Sequence, residues 1–194
     1  MASTKTCFVT VGATASFHDL VKGVLVPSFL KALQSHNYTD LVVQYGVDGK
    51  QTFDSAMKAA GSSGIQISGF ELEKAGLGKY MRLAKGSGKE AQEGVVISHA
   101  GSGSILDALR QQIPIIVVPN ASLLDNHQVE LAEALAEQEY VVHGRLENLA
   151  KALEDAEQLR QRQKEWPPAN SGVHRQAKAV GLRGILDEEM GFLD

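Results

Sequence analysis

The chain has 194 residues, enough for one domain of generous size or a small domain with appendages. A hydrophobic content of 43% supplies a core, while a net charge of −4 with no Lys/Arg block argues against a non-specific nucleic-acid binder. One cysteine, Cys7, excludes an internal disulfide and suits a reducing compartment. No stretch approaches the ~18 uncharged apolar residues of a spanning helix, and MASTKTCFVTVG lacks the pattern of a signal peptide. The expectation is a cytoplasmic chain, held at a membrane only by something else.

In chain order, the apolar run 6–11 reads as a first strand ending at Gly12, followed by a helical pattern over 17–35. Strands at 40–45 and 65–69 alternate with helices at 54–60 and 74–84. The polar, Gly-rich segment 84–94 reads as a flexible surface loop. Strands at 94–98, 113–118 and 140–143 then alternate with helices at 102–111 and 126–138. A charged helix runs from after Glu147 to about Lys164, and WPPANSG breaks it before a last helical pattern over 173–186. Several strands are continuous apolar runs, as in a sheet covered on both faces. The fold class is α/β, a Rossmann-like doubly wound, mostly parallel sheet, with ligands expected at the carboxyl ends of the strands.

Some motifs fail on inspection. GSGKE is not a P-loop, because Leu83 stands where the first glycine belongs and Glu90 replaces the Ser/Thr. VGATASFHDL lacks the G-x-G-x-x-G fingerprint of dinucleotide binding. The six histidines are scattered without an i,i+4 pair, so no metal site is legible.

Three strand ends carry chemistry. In VGATAS (11–16), Gly12 closes the strand and Thr14 or Ser16 can cap the next helix. In SHAGSGS (98–104), Gly101 and Gly103 permit a tight turn and close approach, and Ser102 can cap the incoming helix. Unpaired N–H groups at such a helix start favour an anion, most often a phosphate. In VPNASLLDNHQ (118–128), Asp125, Asn126 and Gln128 could present donors and acceptors to sugar hydroxyls; helix capping by Asp125 or Asn126 is the plainer reading. Asp107, in the helix after the glycine loop, could take two vicinal ribose hydroxyls or simply face solvent.

FVTVGAT, LVVQYG, VISHAGSGSILDAL and NASLLDNHQVELAEAL, in order over about residues 5–143, resemble the soluble catalytic subunits of eukaryotic UDP-N-acetylglucosamine transferases. Those enzymes add the second GlcNAc to dolichol-pyrophosphate-linked GlcNAc in N-glycan precursor synthesis. They are similar to the C-terminal, donor-binding half of GT-B glycosyltransferases. The resemblance implies UDP-GlcNAc as donor, an inverting reaction and no obligatory metal or other cofactor. It places Gly12, Ala13 and Thr14, with His99, Gly101, Ser102, Gly103 and Ser104, toward the diphosphate. Asp107 would hold ribose, backbone near Phe70 the uracil, and Asp125, Asn126 and Gln128 the GlcNAc. Lengthening across 71–94 departs from the family pattern and unsettles the uracil side.

A GT-B enzyme closes two such domains around its donor, and this chain has room for one. Residues 5–164 form the nucleotide-sugar-binding half, and 165–194 a linker and helix that would dock on the partner or on its own domain. The resemblance implies a membrane-anchored acceptor-side subunit that brings the dolichol-linked acceptor and holds this chain at the cytosolic face of the endoplasmic reticulum. No catalytic base is identifiable; His99 is a candidate, with phosphate contact the alternative. A stand-alone nucleotide-dependent enzyme of Rossmann type and a non-catalytic nucleotide-sugar-binding module are the competing readings.

Overall fold

The computed structural model describes residues 3–13, 15–87, 90–120 and 127–165. Thr14, Asp125, Asn126 and the expected C-terminal helix lie outside the described residues. The elements are β1 (Thr4–Thr10), α1 (His18–Gly23), α2 (Pro27–Ser35), β2 (Asp40–Gln44), α3 (Lys50–Ala60), β3 (Gln66–Phe70) and α4 (Gly78–Lys85). They continue with β4 (Ala91–His99), α5 (Ser102–Arg110), β5 (Ile115–Val118), α6 (His127–Glu137), β6 (Val142–His143), a 3₁₀ turn (Leu146–Asn148) and α7 (Leu149–Glu165).

All pairings are parallel, in the order β3-β2-β1-β4-β5-β6. The chain starts in the centre, winds outward through β2 and β3, then returns to β4 beside β1. That reversal makes a crevice between the carboxyl ends of β1 and β4, where open α/β sheets bind ligands. Side chains alternate across each strand, so β1 sends Cys7 and Val9 to one face and Phe8 to the other. The first face packs under α1, α2, α3 and α7, the second under α4, α5 and α6. The expected doubly wound architecture is present.

The element boundaries differ where local chemistry overrides the apolar pattern. The expected helix 17–35 is two helices, because Pro27 lacks an N–H and forces Val26 into extended backbone at φ −70°, ψ 146°. Gly49 starts α3 earlier than expected. The expected loop 84–94 is much shorter: α4 runs to Lys85, Gly86 ends it in left-handed backbone at φ 66°, and β4 begins at Ala91. Polar residues enter that strand because Ala91 and Gln92 pair with Thr4 and Lys5 at the start of β1, where Thr4 and Gln92 are exposed.

At this amino-terminal end of the sheet, α7 is tied down by charge. Lys5 Nζ lies 2.9 Å from Glu157 Oε1, which also accepts the Tyr38 hydroxyl at 2.7 Å. Arg160 donates to the Gly94 carbonyl and to Glu157, and faces Glu93 at 3.4 Å. Burial works against the Glu157 carboxylate, but the hydrogen bonds from Lys5 and Tyr38 and the Arg160 charge outweigh it, holding its pKa below the usual range. Among the described residues, no helix is long and apolar enough to cross a membrane.

Candidate active site

The crevice begins where β1 ends. Gly12 takes φ +81°, a conformation that L side chains rarely adopt. A Cβ there would stand 2.5 Å from His99 Cε1 and 2.6 Å from Nε2. A Cβ on Gly101 would likewise collide with His99 Nε2 and Cε1. Both glycines thus abut the Cε1–Nε2 edge of the imidazole, and Gly101 is required for space rather than for a turn, since its φ is −88°. Gly103 differs again: a Cβ there would meet nothing within 4 Å, because it faces open space.

Gly101 is the N-cap of α5 and Ser102 is its first helical residue, so Ser102 does not cap this helix as expected. No side chain caps it, and the first-turn N–H groups have no partner within the helix. Ser16 does not cap α1 either; its hydroxyl donates to Asp48.

A cleft of about 330 Å³ lies over these groups. One side is formed by Gly12, Ala13, His99, Gly101, Gly103 and Ser104, all expected from the sequence. The rest of the lining, not anticipated, comes from Gln44 at the end of β2, next to Gly12, and from Leu72, Glu73, Gly76 and Leu77 after β3. The sequence signal for Gln44 was present in LVVQ, where an amide closes an apolar strand. Glu73 is the one carboxylate lining the cleft among the described residues, and it pairs with Lys79. Hydrogen bonds from Lys79 and the Ala75 N–H hold its carboxyl below the usual range.

Other expected residues are not brought to the cleft wall. Ser102 is half-buried behind it. Asp107 is exposed farther along α5, 3.9 Å from Arg110. Phe70 stacks on Tyr80 at 4.0 Å within the second core, and its carbonyl accepts the Tyr45 N–H at 3.0 Å. Gln128 supports the third strand end instead: its Oε1 accepts the Asn120 N–H at 3.0 Å. The Asn120 side chain in turn donates to the Ser16 carbonyl at 3.1 Å, linking the β5 end to the loop after β1.

Burial holds the His99 imidazole below its ordinary pKa, with the Thr10 backbone offsetting part of the effect. Its Nδ1 is buried, with the Thr10 backbone near the ring but without a well-formed hydrogen bond among the described residues. The ring is therefore a neutral, positioned group near pH 7. An open helix N-terminus, close-approach glycines and a fixed imidazole together suit a phosphorylated ligand at the cleft.

Residues 6–180 match the glycosyltransferase family 28 C-terminal domain. The UDP-N-acetylglucosamine transferase subunit ALG13 of Cryptococcus neoformans is 36% identical, over 99% of this chain and 100% of its own. The ALG13 subunit of Eremothecium gossypii is 37% identical over 87% of this chain and 89% of its own. An NMR solution structure of ALG13 is similar with a TM-score of 0.60 at 28% identity, covering 84% of this chain and 88% of that one. A parallel sheet with its glycine-lined cleft at the switch point and a family match over most of its length make this chain a glycosyltransferase, a member of family 28 by its C-terminal-type domain and a relative of the ALG13 transferase subunits.

Proposed function

We propose that this chain is the donor-binding, catalytic half of a two-chain inverting transferase that moves GlcNAc from UDP-GlcNAc to GlcNAc-pyrophosphoryl-dolichol. The observation that carries the donor half is the uncapped start of α5, opening beside Gly12, Gly101 and Gly103 into the cleft. Backbone N–H groups and the helix dipole would hold the diphosphate, with the neutral His99 ring donating one further hydrogen bond. Such a cradle needs no obligatory metal, and UDP affinity should survive a chelator. Beyond the cleft wall, Asp107, exposed on α5, would take ribose hydroxyls, and Asp125 and Asn126, with the Gln128 side chain that braces Asn120, would face the GlcNAc.

The acceptor half is assigned to a membrane-anchored partner at the cytosolic face of the endoplasmic reticulum. What supports that assignment is that the relatives are named as subunits of a transferase. One domain can bind a donor, but it does not by itself bring an acceptor hydroxyl to the anomeric carbon.

Hydrogen exchange tests the donor site. UDP-GlcNAc should slow exchange of the amides at residues 99–107, with smaller effects on α2 and α7. Tight binding that leaves 99–107 unprotected would move the donor elsewhere.

A further inference from the structure

We propose that Thr10 and Gln44 are positioning residues, a buried hydrogen-bonded clamp that holds the Gly12 backbone in its ligand-ready shape against His99. The inference deepens the donor-site reading and rests on it for the identity of the ligand. Thr10 and Gln44 are direct neighbours in the parallel register of β1 and β2, with relative exposures of 0% and 2%. The Thr10 hydroxyl donates to Gln44 Oε1 and accepts the Gly12 N–H at 3.2 Å. Gln44 Nε2 then donates to the Gly12 carbonyl at 3.1 Å. Both polar ends of the Gly12 residue are thus fixed by two side chains that are themselves paired.

A strand end does not need this. Gly12 already sits in left-handed backbone with the His99 ring against its Cα, a narrow arrangement that many glycine conformations would leave. Burial makes the clamp decisive, because removing one member leaves its partners unsatisfied without water to replace it. The same loop has a second bracket with the opposite character. Asp48 accepts the Ser16 hydroxyl and His18 Nε2, the latter at 3.1 Å, while His18 Nδ1 meets Thr52 Oγ1 at 2.7 Å. Asp48 and His18 side chains are 55% and 35% exposed, so solvent can stand in for a lost partner there. The buried clamp, not the exposed one, should therefore set the loop.

The test uses the full chain and UDP as probe, with Thr10→Val, Thr10→Ser, Gln44→Met and Asp48→Ala. Affinity and the Gly12 amide exchange rate are measured below the unfolding transition, and the unfolding free energy by urea titration through it. Thr10→Val keeps the shape and loses the hydroxyl; Thr10→Ser keeps the hydroxyl and loses a buried methyl. UDP affinity should fall about tenfold in Thr10→Val and Gln44→Met, and Gly12 exchange should quicken by about the same factor. Thr10→Ser should lose stability yet bind within about twofold of the parent, as should Asp48→Ala. A purely structural role would make affinity follow stability, so weaker binding in Thr10→Ser than in Thr10→Val overturns the clamp. Unchanged Gly12 exchange in Thr10→Val overturns it too, as does an Asp48→Ala loss equal to that of Thr10→Val. If the parent chain itself does not bind UDP, the donor reading falls, and the clamp is then decided by Gly12 exchange alone.

Discussion

Gly12 and Gly103 both border the cleft, and their substitutions should fail in opposite ways. Gly12 has a positive φ and the His99 ring against it, so Gly12→Ala should cost roughly 1–3 kcal/mol of stability in urea unfolding. Gly103 lies in α5 with free space at its Cβ, and any ordinary residue is a better helix former than glycine. Gly103→Val should leave stability intact while lowering UDP affinity by about tenfold or more, because its branches would enter the ligand's space. Affinity unchanged in a folded Gly103→Val would remove the diphosphate from that position. His99 sets a pH dependence. Burial lowers its folded pKa below the ordinary value of 6.5, and His143 is lowered in the same direction. The unfolded chain then binds more protons, so this contribution is complete above about pH 6.5 and is lost as pH falls through the lowered native value. Unfolding free energy should therefore decline from pH 7 to 5, and His99→Gln should flatten part of that slope; an unaltered slope would contradict the burial of the ring. The glycines and His99 were legible in the sequence because their spacing at a strand-to-helix junction is local. Gln44 and Thr10 were not, because their role depends on the register between two strands that lie 34 residues apart.

Elements followed the sequence where burial was uniform. Val95 to Ile97 and Ile115 to Val118 are apolar throughout because helices cover both sides, and strands stand there as expected. At the sheet's amino-terminal end the strand begins at Ala91, before the expected start at Gly94, because Ala91 and Gln92 are paired there while still reached by water. At Pro27 an unbroken apolar period hides a break imposed by one ring. The attachment of α7 is the other feature no periodicity announces. Arg160 is buried between Glu157, Glu93 and the Gly94 carbonyl. Arg160→Met would remove one cation from Glu157 and Glu93, which keep Lys5 and Lys85, and leave the Gly94 carbonyl unpaired, a loss of roughly 1–3 kcal/mol. Urea unfolding should register that loss while UDP affinity in the folded variant stays within about twofold, since the network lies at the opposite end of the strands from the cleft. A drop in affinity larger than the drop in stability would tie α7 to the donor site and contradict that separation.

At the scale of the whole molecule, the two ends of the sheet divide the work. Helix starts and glycines gather at the carboxyl ends, with the Lys5–Glu157–Arg160 network at the other. The cleft is lined by the ends of β1, β2 and β4 and by the start of α5. Proximity and orientation of acceptor and donor, when fully realised, lower a barrier by about 7–11 kcal/mol, and a lone donor domain forgoes most of that. The direct measurement is transfer of labelled GlcNAc from UDP-GlcNAc to a GlcNAc-pyrophosphoryl lipid, with this chain alone and with the membrane-anchored partner added. The chain alone should bind donor without appreciable transfer, and transfer should appear on adding the partner. Robust transfer by the isolated, verified monomer would contradict this.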